Sequence, residues 1–282
     1  MLGVGINVRR ARTAKAIAKA TMLLTSNGDG TGVATLRMRV SQTMTVTLDG
    51  SARFYSNLAG TEGESTSWTI TSGAMRTIYL RAPSGTSTLN IPNRHSLICI
   101  GDNSNTGWEG AGTNMPRLFF IPSQFPNLFS IRIIGRATLT GNLPLSVTYL
   151  HGDWSFLWNN VTSIHPLNYI HLVSNSSISI GSNIFTQTTY ILLYGDGLNF
   201  ETLDWSGTGN LVAFQLNNFR TNKLTDTEMI TILNSIRDRV GAMPSNVYIG
   251  DYANWNNPPQ AVLDARAAAM AAKNITTLTL AA

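Results

Sequence analysis

The side chains with catalytic potential are few and scattered. Four histidines occur, His95, His151, His165 and His171. None stands in a His-x-x-x-His or His-Glu-x-x-His pair, the spacings that put two imidazoles on one helix face for zinc. His171 lies between Ile170 and Leu172, which points it outward from a strand, and His151-Gly152-Asp153 reads as a turn after one. Asp196, Glu201 and Asp204 form the local acid cluster of the repetitive part. Glycoside cleavage needs two carboxylates roughly 5–9.5 Å apart. Strands about 4.8 Å apart would leave Asp153 and Asp196, two rungs from each other, near 10 Å. Capping of turns by Asp side chains explains these acids better. The loop Asp102-Asn103-Ser104-Asn105-Thr106-Gly107 has the composition of a calcium loop but no Glu at its twelfth position. Neither a Gly-x-Ser-x-Gly elbow nor a phosphate-binding Walker loop occurs. The expectation is a non-enzyme without cofactor or metal.

Binding chemistry is better represented. Trp108, Trp154, Trp158, Trp205 and Trp255 fall after strand-like runs rather than at alternating apolar positions. As a rim of aromatic rings they would stack on sugars or anchor a protein partner. Trp108, Trp154, Trp158, Trp205 and the outward His171 are therefore the expected display surface.

Charge points to a second kind of contact. Charged residues make up only 12% of the chain and the net charge is +5. Arg9, Arg10, Arg12, Lys15 and Lys19 lie in residues 1–24, which hold no acid, so the remainder is electrically balanced. If helical, this segment puts Arg12, Lys15 and Lys19 on one side and Ala14, Ile17, Thr21 and Leu24 on another. It lacks the uninterrupted apolar run of an export signal and reads as a basic arm, over 1–26, that docks on an acidic surface. No stretch reaches the roughly 18 apolar residues of a membrane span. The single Cys99 excludes an intrachain disulfide framework.

The elements that must carry these residues are mostly strands. Asn27-Gly28-Asp29-Gly30-Thr31-Gly32 is a turn, because the alternating run 34–40 follows it. With 44–48 and 52–55 this gives a small antiparallel β region over 27–74. From residue 75 a short apolar-x-apolar motif recurs: Ile78-Tyr79-Leu80, Ile98-Cys99-Ile100, Leu118-Phe119-Phe120, Ile131-Arg132-Ile133, Thr148-Tyr149-Leu150, Ile170-His171-Leu172, Ile191-Leu192-Leu193 and Phe214-Gln215-Leu216. Most intervals between them are those of leucine-rich repeats, with a compressed stretch near 120–135. Stacked in parallel, each strand satisfies its backbone through its neighbours and shares one apolar spine. Two later turns carry helices. Thr225-x-x-Glu228 is a capping box opening a helix over 224–240 that Gly241 closes. Asn257 with Pro258 opens a second, running to Asn274. Strands are expected at 246–250 and 277–280.

Segment 45–85 resembles the N-terminal module of leucine-rich-repeat-like proteins of phages infecting Bacteroidetes. The marks are Phe54-Tyr55, Ala59-Gly60-Thr61, Ser72-Gly73-Ala74-Met75-Arg76-Thr77-Ile78-Tyr79-Leu80 and Ala82-Pro83-Ser84-Gly85. Segment 224–280 resembles the closing unit of that group, departing from it at Ala272-Lys273-Asn274-Ile275, where a Gly-Trp pair is common. The resemblance implies a virion structural or fibre-like protein. The fold expected is mostly β: an irregular leucine-rich-repeat-like solenoid over 75–282 with C-terminal α/β turns, preceded by a small β region and a basic N-terminal helix or arm. The expected function is a non-enzymatic phage virion protein, head- or tail-associated and present in several copies. It would dock on other virion proteins through the arm and display the repeats to a host glycan or protein. A bacterial surface adhesin is the alternative, and a polysaccharide-degrading enzyme a weaker one.

Overall fold

The computed structural model describes residues 19–110, 112–152, 156–159, 169–173, 188–194, 205, 207–217 and 223–282. The chain is mostly β, with several sheets and two α-helices among these residues. The first part contributes β1 (Ala20–Thr25), β2 (Ala34–Val40), β3 (Met44–Asp49), β4 (Arg53–Tyr55), β5 (Ser67–Ile70), β6 (Arg76–Arg81), β7 (Thr86–Ile91) and β8 (Leu97–Ile100). Next come β9 (Trp108–Gly110), β10 (Arg117–Phe120), β11 (Ser130–Gly135), β12 (Ala137–Thr140), β13 (Tyr149–Gly152), β14 (Phe156–Asn159), β15 (Tyr169–Val173), β16 (Tyr190–Tyr194) and β17 (Ala213–Asn217). The chain closes with α1 (Asp226–Asp238), β18 (Asn246–Ile249), α2 (Gln260–Lys273) and β19 (Thr277–Leu280).

Two-residue alternation explains the first part. In β3 the residues Met44, Val46 and Leu48 are buried while Thr45, Thr47 and Asp49 are exposed. β3 sits between β7 and β5, and β2 between β8 and β6, all antiparallel. Of the strands in 27–74, β2, β3 and β4 pair with partners outside those bounds, while β5 pairs with β3 inside them. The inward side chains of both sheets, among them Met22, Leu36, Val46, Phe54, Ile78 and Leu89, belong to one hydrophobic cluster that continues into the rest of the chain.

The last residues of the expected arm correct the sequence reading. Ala20–Thr25 is not helical: β1 lies between β7 and β10, with Met22 and Leu24 fully buried. Met22 and Leu24 alternate with Thr21 and Leu23, the period of a strand facing one core. Residues 1–18, with Arg9, Arg10, Arg12 and Lys15, lie outside the described residues, and Lys19 is exposed just before β1.

Among the strands from β8 onward the pairs are parallel, while β8, β9 and β10 still pair antiparallel with β2 or β1. β8, β11, β13, β15, β16, β17, β18 and β19 follow one another in the larger sheet, each parallel to the last. β10, β12 and β14 extend the other sheet in the same sense. Between β10 and β15 the chain alternates sheets, which accounts for the irregular spacing near 120–135. Leu118-Phe119-Phe120 belongs to the second sheet, not to the column of the other repeats. Ile78-Tyr79-Leu80 belongs to the antiparallel part. A register slip compounds this: Ile133 pairs with Gly152 rather than Leu150, whose true partner is Ile131.

The helices follow their caps. Thr225 accepts the Glu228 amide on its hydroxyl at 3.3 Å, and the Glu228 carboxylate accepts the Thr225 amide at 2.6 Å. α1 buries Met229, Ile232, Leu233 and Ile236. It stops at Asp238, before the expected Val240, which is exposed. Arg239 leaves the helical conformation there and turns into the protein, where its guanidinium donates to the carbonyls of Trp205 and Gly209. α2 begins at Gln260, three residues after the expected Asn257 cap, with Pro259 at the cap position. The second proline forces Pro258 to stay extended, so no helix can form until Pro259 has passed.

Candidate functional site

Parallel strands in exact register place equivalent residues of successive rungs about 4.8 Å apart, a stacking distance for planar groups. Tyr149, Tyr169 and Tyr190 are such a set, paired in register across β13, β15 and β16. Their rings stack at 4.2 and 4.5 Å with interplanar angles of 11° and 9°. Two positions along, Arg132, His151, His171 and Leu192 form a second column, with the two imidazoles 4.1 Å apart. Between the columns the inward residues Ile131, Leu150 and Ile191 are fully buried and hold the sheet to the core.

The face is electrically quiet. Burial depresses the His151 imidazolium first, and nearby His171 and Arg132 add to it, lowering its pKa to about 3. Burial, then Arg132, lowers His171 as well. His151 Nδ1 is buried without a hydrogen-bond partner. Burial raises Tyr149 and Tyr169, the latter further through its stacked neighbour Tyr149. At neutral pH the two imidazoles and the phenols of Tyr149 and Tyr169 are therefore uncharged. Arg132 donates to the carbonyl oxygens of Asp102 and Asn103 at 3.2 and 2.7 Å, which pins the 101–107 loop beside the columns. Asp102 itself accepts the amides of Ser104 and Asn105, so its carboxylate is occupied by the turn. Among the described residues no group of three or more His, Cys, Asp or Glu is arranged to hold a metal ion.

A cavity of about 540 Å3 runs along the tyrosine column, lined by Asn103, Tyr149, Tyr169, Thr189, Tyr190 and Val212. Stacked aromatic rings beside a groove form a surface that can take a ligand.

The expected display residues fare unequally. His171 is on the outward face of β15 and half-buried beneath its stack. His151 is within β13 rather than in a turn. Trp108 and Trp205 are not displayed, for both are fully buried. Trp108 is on β9, between β2 and β11, and Trp205 packs edge-on against Phe214 at 5.3 Å. Indoles of that size fill the core where strands are short, and burial there outweighs their polar N–H. Trp158 is on β14, paired with β12, rather than in a loop. Trp154, His165, Asp153, Asp196, Glu201 and Asp204 lie outside the described residues. The tyrosine column escaped the sequence reading because the slipped register at 131–150 put its members at different repeat positions. Tyrosine directly before Leu150, Ile170 and Ile191 in the sequence was the available signal.

Comparison with protein-family models, curated proteins and solved structures finds no match to this chain. Among the described residues no helix is long and apolar enough to cross a membrane.

Proposed function

We propose that the chain is a non-enzymatic phage virion protein that displays an irregular leucine-rich-repeat-like solenoid for recognition. The observation that carries the display reading is the in-register column Tyr149–Tyr169–Tyr190 beside its groove. A solenoid is supported by the sequential parallel pairing from β11 to β19, in which each turn of chain adds one rung. Attachment is assigned to the basic residues Arg9, Arg10, Arg12, Lys15 and Lys19, because a balanced body leaves them as the net positive charge. The virion location and a multi-copy arrangement rest on the resemblance of 45–85 and 224–280 to phage fibre-like proteins. Partners on the particle are other virion proteins, and the partner of the display face is a host glycan or protein.

A mass-spectrometric census of purified particles tests the location. The protein is expected in stoichiometric amounts, and deletion of residues 1–18 is expected to abolish incorporation while leaving β1 and the fold intact. Absence from particles, or full incorporation of the deleted chain, would contradict the reading.

A further inference from the structure

The tyrosine column stops where a fourth ring would fit. Tyr169 covers one face of Tyr190 in near-parallel stacking. The other face looks along the sheet toward the next in-register residue, Ala213. Its methyl group lines a cavity instead of adding a fourth ring. Val212, beside it, is 74% exposed, a large apolar side chain left facing solvent. Val212 lines both the groove along the tyrosines and a second cavity of about 400 Å3 further along the sheet, so the two meet at this rung.

The walls of the second cavity define what would enter. Gln215, Asn246, Tyr248, Thr277 and Thr279 supply amide and hydroxyl groups that both donate and accept. Among the described residues no Asp, Glu, Lys, Arg or His lines either cavity. An ionised ligand would gain no countercharge from these residues. An aromatic side chain would stack on Tyr190 but leave the amides and hydroxyls opposite it without partners. A neutral pyranose satisfies both sides. Its C–H face meets the negative face of the phenol ring, and its hydroxyls meet the uncharged polar groups.

We propose that an uncharged sugar ring of a host glycan binds as the missing rung, stacked on Tyr190 above Ala213 with Gln215, Asn246 and Tyr248 reading its hydroxyls. This rests on the display reading above and names its ligand class and its site. The site takes one ring of a neutral oligosaccharide, with flanking sugars continuing along the groove past Val212.

The test is titration calorimetry on the full chain. The probes are neutral tetrasaccharides of glucose, mannose and N-acetylglucosamine, a tetragalacturonate and a tyrosine-rich peptide. Binding of at least one neutral tetrasaccharide, with the charged one at least tenfold weaker, is the expected result. Ala213→Tyr completes the column with protein, so it is expected to weaken sugar binding at least tenfold while the melting temperature stays level or rises. Tyr190→Ala is expected to lose binding as well, and Tyr190→Phe, which keeps the ring, to retain it within about threefold. No sugar binding by the wild type, equal affinity for the charged sugar, preference for the peptide, or undiminished binding by Ala213→Tyr would each overturn the site. Absence from purified particles would end the virion assignment while leaving a measured sugar affinity standing, so the two readings fail separately.

Discussion

The antiparallel part, β1 to β8, and the parallel ladder, β11 to β19, use the same alternation of inward apolar and outward polar residues, yet they build different outer surfaces. In the antiparallel part, facing residues come from strands of unrelated local sequence. Its outer faces hold isolated pairs: Thr45 with Thr69 at 3.0 Å, and Asn90 with Asp49 at 2.8 Å. In the ladder, each rung repeats the position of the one before, so like residues fall into columns, Tyr on Tyr and His on His. The core is shared and continuous. The difference lies in pairing, and it teaches that parallel register turns a weak repeat into an extended chemical stripe.

The largest contrast is in packing. Phe54 is fully buried in the antiparallel part, with its ring 6.2 Å from that of Trp68. Phe54→Ala is expected to cost about 3–5 kcal/mol in urea unfolding. A loss under about 1 kcal/mol would mean that this core is not closed as described. Tyr169, in the middle of its column, is half-buried, and Tyr169→Ala removes two stacking contacts of about 0.5–1.5 kcal/mol each. A total loss of about 1–3 kcal/mol is expected, with most of it restored in Tyr169→Phe because stacking needs the ring and not the hydroxyl. Equal losses in both variants would assign the contribution to the hydroxyl and break the comparison. The capping box offers a smaller, local effect: Thr225→Ala is expected to cost about 1 kcal/mol, read from the same unfolding curves.

The smallest effect concerns pH. An unfolded histidine takes up a proton near pH 6.5, while His151 in the folded chain holds out to about 3 and His171 is lowered too. Between those values the unfolded state binds more protons than the folded one, so stability falls as pH falls through that window. Melting temperatures measured from pH 7 down to 4 are expected to decline less in His151→Gln than in the wild type. Parallel declines would remove His151 from the acid response.

Much of this organisation was legible in the sequence, and the rest was hidden for identifiable reasons. Clean alternation in 34–40 and 44–48 marked β2 and β3, and Thr225 with Glu228 marked α1. β1 was obscured because the basic, alanine-rich residues before it carry a helical pattern into Ala20. The tandem prolines moved the start of α2. Of the candidate site, His171 was identified as an outward strand residue. Trp108 and Trp205 were misplaced because residue type alone does not tell an indole that fills a core from one that faces a ligand. The tyrosine column needed the register between β13 and β15, where Leu172 pairs with Gly152 and not with Leu150.

The central claim, that the ladder stacks equivalent residues in register, is tested most directly by a double-mutant cycle between Tyr169 and Tyr190. The coupling expected is about 0.5–1.5 kcal/mol, against none between Tyr169 and the off-column Gln215. Additivity within about 0.3 kcal/mol for the tyrosine pair would contradict the stack and the surface built on it.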